Sequence, residues 1–145
     1  MQDSNRGISC KRKDILKLPL SEYKKITNGF IAAAKCLMGQ NFYRAKDIPY
    51  RTQLILLAAI FSALGDKAEQ DTAKRFIARW YWCGVLGELY GSASETQFAK
   101  DVPEVVKWLD DGQEPTPVKE CTFSPNRLYT LRTRNSAAYE GVYAL

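Results

Sequence analysis

Apolar residues recur along this chain at intervals of three and four, and no stretch shows the alternation of a half-buried strand. Tyr23, Ile26, Phe30, Ala33, Ala34 and Leu37 share one face of a helix expected from Ser21, which is placed to cap it, to about Met38, with Gly39 as the breaker. Asp47 and Pro49 mark the next start. Leu54, Leu57, Ala58, Phe61 and Leu64 then repeat at helical spacing, Ile55 and Ile60 widen the face, and Gly65 supplies the stop, which predicts a central helix. A third helix is expected from about Asp71 to Tyr90, strongly apolar through Phe76, Ile77, Trp80, Cys83 and Val85. Trp80, Gly84, Gly87 and Gly91 line one side of it. Glycine inside a helix costs about 1 kcal/mol against alanine, so this large-beside-small pattern predicts the close approach of another helix.

Ser92 with Glu95, and Asp101 with Glu104, have capping-box spacing and predict two short helices, the second ending before Gly112. Residues 110–117 read as a loop, Ser124-Pro125 opens another short helix, and Asn135 is placed to cap the last one. That last helix carries Ala137, Ala138, Val142, Tyr143 and Leu145 as an apolar stripe with no glycine stop, which predicts a piece of a longer protein and an uncovered, self-associating surface. Residues 1–18 are polar and basic and read as an extended arm; residues 19–145 read as a single helical domain. The expected fold class is all-α, an orthogonal or bundle-like multi-helix domain with short connections and no sheet.

Charge and composition narrow the chemistry. The 21 Lys and Arg exceed the 16 Asp and Glu, for a net charge of +5, and part of the excess lies in residues 1–25. Such a balance permits an acidic partner such as nucleic acid without requiring one. The sequence contains no histidine. That removes Ser-His-Asp and Cys-His catalysis, histidine-bearing zinc sites and HNH nuclease centres. Cys10, Cys36, Cys83 and Cys121 are scattered without a C-x-x-C pair, and Cys36 and Cys83 fall in apolar helical patterns as reduced packing residues. No cofactor, metal or catalytic residue is expected. The longest apolar run, Leu54 to Leu64, is too short to span a bilayer, so no membrane partner and a cytoplasmic location are expected.

Two basic clusters are the candidate nucleic-acid contacts. Arg127, Arg132 and Arg134 lie beside Tyr129 and Asn135, a mix that suits phosphate contact with base stacking. The same arginines also suit ion pairs with Glu88, Glu95 or Asp101, or with acids of a neighbouring domain. Lys11, Arg12 and Lys13 form a second basic run of the kind that is usually solvated but can touch phosphates. Trp80-Tyr81-Trp82 is read mainly as packing, because three consecutive aromatics on a helix point three ways.

Four phrases carry a resemblance: CKRKDIL from Cys10, PYRTQLILLAAIF from Pro49, ARWYWCGVLGELYGSASETQFAKDVPEV from Ala78 and LRTRNSAAYEGVYAL from Leu131. Together they resemble the helical C-terminal portion of the N-terminal domain of GmrSD-type, modification-dependent restriction endonucleases and their relatives. The resemblance implies a phage-defence protein acting on DNA, whose nucleotide-binding part bears a D-G-Q-Q-R motif and whose nuclease part is commonly of HNH type. Here Asp111-Gly112-Gln113 is followed by Glu114 and Pro115, so that motif is absent, and without histidine no HNH centre exists. Only the helical region carries over. The implied role is a non-catalytic domain that links, orients or regulates neighbouring domains of a parent enzyme. A reading of a different class is a self-standing nucleic-acid-binding module using the basic arm and the Arg127–Arg134 cluster. The first should expose an apolar patch, the second a contiguous basic face. Neighbouring domains, DNA and a second copy of the chain are the expected partners.

Overall fold

Leu57 and Ile60, on the expected central helix, are fully buried. The structure is a computed structural model and describes residues 12–93, 95–131 and 136–145. Among these the elements are α1 (Arg12–Ile15), α2 (Leu20–Met38), α3 (Arg51–Leu64), α4 (Asp71–Leu86), α5 (Glu95–Asp111), α6 (Thr116–Glu120), α7 (Arg127–Thr130) and α8 (Ala137–Ala144), with no strand. The all-α class expected from the periodicity is therefore what forms.

The α2–α3 pair is antiparallel. The Ser62 hydroxyl donates to the Lys25 carbonyl at 3.2 Å, and one turn further along α2, Gly29 lies against Ala58 and Ser62. A Cβ on Gly29 would stand 2.0 Å from Ser62 Oγ and 2.5 Å from the Ala58 carbonyl oxygen, so the glycine sets how closely the two backbones approach. This packing corrects the expected face of α2. The buried line is Gly29, Ala33 and Leu37, while Tyr23, Ile26, Phe30 and Ala34 face outward. Turning the glycine towards α3 turns the larger side chains away from it. On α3, Ile55 is likewise exposed, and the polar Gln53 is buried instead, donating through Nε2 to the Tyr81 carbonyl at 3.1 Å.

Helix α4 packs on α5, α6 and α8. Trp80 and Tyr81 are fully buried and Trp82 half-buried, with its indole N–H donating to Gln40 Oε1 at 2.7 Å, so two of the three consecutive aromatics are core. Phe76 stacks on Trp108 of α5 with ring centroids 4.2 Å apart, and Arg79 lies 5.7 Å from the Trp108 ring centroid. The expected close approach at Gly84 occurs, but through side chains: a Cβ there would meet Gln53 Nε2 at 2.2 Å and the Tyr90 ring at 2.6 Å. A helix does approach α4 at Gly141 of α8, whose Cβ would fall 2.5 Å from Val85 Cγ1.

Several boundaries shift. Residues 12–15 form a helical turn within the expected extended arm. Ser21 does not cap α2, which begins at Leu20 after Pro19. Helix α4 ends at Leu86, with Gly87 as its cap. The two short helices expected around Asp101 are one helix, α5, which continues through Pro103. Residues 116–120, partly read as loop, form α6 with Pro117 in its first turn. Asn135 lies outside the described residues; the described cap of α8 is Ser136, whose hydroxyl accepts from the Tyr139 N–H at 3.2 Å.

Candidate functional site

Helix α2 divides lengthwise into three sectors. One is the Gly29–Ala33–Leu37 line against α3. The second is apolar and open: Leu20, Tyr23, Ile26, Phe30 and Met38 are each at least 41% exposed. Ile55 extends this sector. It shares a stripe of α3 with Ala58 and Ser62, the residues that meet α2, and it is 60% exposed. Monomeric proteins rarely leave a contiguous apolar surface of this kind uncovered.

The third sector is basic. Lys24, Lys25 and Lys35 line the α2 wall of a groove of about 890 Å³ between α2 and the α3–α4 connection, with Asn28 and Ile31; Lys74 and the carboxylates Asp66 and Glu69 lie on the opposite wall. Lys74 is engaged by Glu69 at 3.1 Å. Lys24, Lys25 and Lys35 have no carboxylate within ion-pair distance among the described residues. Helical geometry sets Lys24 and Lys35, eleven residues apart, about 16 Å apart along the axis on nearly the same side.

The basic clusters singled out in the sequence lie elsewhere. Lys11, Arg132 and Arg134 are outside the described residues, Arg12 opens α1, and Lys13 is exposed. Arg127, at the start of α7, is half-buried and pairs with Glu88 in the α4–α5 connection. Glu88 accepts this pair from a left-handed backbone conformation, φ 52°, uncommon for a non-glycine residue. The pair ties α7 to the end of α4 and commits the Arg127 guanidinium internally. A second groove, of about 920 Å³, runs between the α2–α3 connection and α8; Arg44, Lys46, Asp47, Tyr139 and Glu140 line it. Arg44 is held there by a two-pronged pair with Asp47 at 2.7 and 3.0 Å. The C-terminal stripe is half covered: Ala137 and Ala138 are buried against α4, whereas Tyr143 and Leu145 remain exposed.

The buried titratable groups serve the fold. Asp101 accepts the Tyr90 hydroxyl proton at 2.8 Å, and neither residue lines either groove. Burial pushes the Asp101 carboxyl above its ordinary range, against the opposing effect of the Tyr90 hydrogen bond, and pushes the Tyr90 hydroxyl up so that it stays a neutral donor. A carboxyl raised in the folded state stabilises most below its unfolded pKa of about 3.9 and loses that stabilisation as pH rises through the folded value. An asparagine can accept the same hydrogen bond without ionising. Asp101→Asn is therefore expected to match the native protein near pH 4 and to exceed it in stability at neutral pH. Urea denaturation across this range checks it; parallel pH profiles for the two proteins would be the contrary result. Cys83, next to Cys121, is pushed up to about 12, first by burial, so it is a thiol and not a nucleophilic thiolate at neutral pH. The described residues contain no group of three or more Cys, Asp or Glu able to hold a metal ion, and no described helix is long and apolar enough to cross a membrane.

Sequence reading gives weight to the consecutive run at residues 11–13 and misses the split Lys24, Lys25 and Lys35 set. The signal is present as a three-turn spacing on one predicted helix. It becomes a surface only once Gly29 has fixed which side of α2 is buried.

No family model matches the chain, and no solved structure matches it. The chain is similar to an uncharacterised protein, MJ0686, of Methanocaldococcus jannaschii: 25% identical over 156 aligned positions, covering 97% of this chain and 26% of that protein. The chain thus spans about a quarter of the length of the curated relative it matches.

Proposed function

We propose that this chain is a non-catalytic helical docking domain of a larger, restriction-endonuclease-like defence protein that acts on DNA. The observation that carries the reading is the open apolar sector of α2, which lies beside a fully formed core. Leu20 and Tyr23 are more than half exposed, so they contribute little to this domain's own packing, and Met38 is exposed on the same flank of α2. The occupant of this flank in this reading is an adjoining unit of the same polypeptide. The relative supports that choice, because nearly all of this chain aligns with about a quarter of it. The four phrases that resemble GmrSD-type proteins support the defence context. Arg127, one of the three C-terminal arginines, is paired with Glu88.

The test replaces Leu20, Tyr23 and Met38 together by Glu. Exposed positions away from special features change stability by about 0.5 kcal/mol or less each. The triple variant is therefore expected to keep its folding stability within about 1.5 kcal/mol of the native value in urea and to lose any self-association of the isolated chain in light scattering. Collapse of the cooperative transition would show that the face belongs to this domain's own core.

A further inference from the structure

We propose that the groove between α2 and the α3–α4 connection binds the phosphate backbone of a nucleic acid. This inference uses the basic flank of α2 and stands apart from the docking role of its apolar flank. Three observations carry it. Lys24, Lys25 and Lys35 line the same concave surface. They are without carboxylate partners among the described residues, as are Lys100 and Lys119, but the three on α2 share one concave wall. Their spacing favours a polyanion: the Lys24–Lys25 end and the Lys35 end are about 16 Å apart along the helix, so side chains projecting straight from it meet separate phosphates. A polymer with one charge every 3.4 Å or so per strand spans that distance with several phosphates.

Asn28 lies between the two ends and adds an uncharged donor for a phosphate oxygen. The one aromatic side chain in the lining, Phe61, is 9% exposed and packed in the core, so the groove offers no stacking platform. Recognition is therefore of the backbone and independent of base sequence. A concave wall bearing the cations fits a strand or duplex edge better than the flat surface of a bilayer.

The experiment follows the fluorescence anisotropy of a labelled mixed-sequence DNA duplex, and of its single strand, with the whole chain at about 50 mM salt and upward. The test variant is Lys24→Gln/Lys25→Gln/Lys35→Gln. The control removes the same charge elsewhere, as Lys100→Gln/Lys107→Gln/Lys119→Gln, all at exposed positions outside both grooves. The groove variant should bind at least one oligonucleotide about tenfold more weakly. Its slope of log affinity against log salt should be shallower by about 2 to 3, since each phosphate that a lysine neutralises on a duplex adds about 0.9 to the slope. The control should change affinity less than about twofold, and inorganic phosphate at equal ionic strength should not displace the DNA. Equal losses in the two variants would overturn the assignment to this groove. So would absence of oligonucleotide binding by the native chain, or groove-dependent binding to phosphatidylserine-rich vesicles without binding to DNA. Unchanged melting temperatures in both variants, expected for exposed lysines, keep a folding defect from imitating the result.

Discussion

Trp80→Ala is expected to remove about 3–5 kcal/mol of folding stability. The side chain is fully buried on α4 and packs edge-on to Tyr90 with ring centroids 6.0 Å apart. Truncation leaves a large void beside Tyr90 in the core, and a packed interior refills such a void only in part. Set against a typical total of about 5–15 kcal/mol, the loss would leave the variant partly unfolded under mild conditions. Trp82→Ala is the matched comparison, because its ring is half-buried and its main polar contact is the hydrogen bond to Gln40. It should lose roughly 1–2 kcal/mol, in keeping with one hydrogen bond and partial burial. Urea denaturation of the two variants decides the role of the aromatic triplet. Comparable small losses in both would mean that Trp80 is not the centre of the core.

The second large effect is expected at Gly29. Gly29→Val places a branched side chain where even a Cβ meets Ser62 Oγ at 2.0 Å and the Ala58 carbonyl at 2.5 Å. Ser62 can rotate, but the Ala58 carbonyl is helix backbone and cannot. Relief requires α2 to move off α3, and overpacking of this kind costs about 1–3 kcal/mol, occasionally more. A small gain in helix propensity offsets only tenths of that. The stability loss should come with faster hydrogen exchange in both α2 and α3. Gly29→Ala tests the same packing more gently, since its steric penalty is opposed by about 1 kcal/mol of helix propensity. A Gly29→Val protein as stable as the native one would contradict the close α2–α3 approach, and with it the assignment of the outward faces of α2.

The all-α class was legible because periodicity and breakers are local. Gly39 and Gly65 bound helices as expected, and the broad apolar face of residues 54–64 did mark the central helix. The orientation of α2 was not legible. Its sequence is apolar around much of the circumference, so counting hydrophobic positions picks the largest side chains, Tyr23, Ile26 and Phe30, whereas packing against α3 picks the smallest. That choice depends on Ala58 and Ser62, twenty-nine and more residues away, and no local pattern encodes it. Asp101 misled for a similar reason. Its spacing to Glu104 is that of a cap, but the Tyr90 hydroxyl draws it into the interior of a longer helix. The candidate surfaces inherit this dependence: the apolar and basic flanks of α2 exist as faces only after Gly29 has turned inward.

The docking role of the apolar flank is most directly measured by hydroxyl-radical footprinting of the longer archaeal relative. The intact protein would be compared with its aligned quarter made as a separate piece, and this chain would be footprinted alongside. In the isolated chain, Leu20, Tyr23, Phe30 and Met38 should oxidise readily, as their exposure requires. The corresponding helix in the relative should be equally reactive in the separate piece and several-fold protected in the intact protein. Equal oxidation of that helix in the piece and in the intact protein would contradict the proposal that this face docks an adjoining unit.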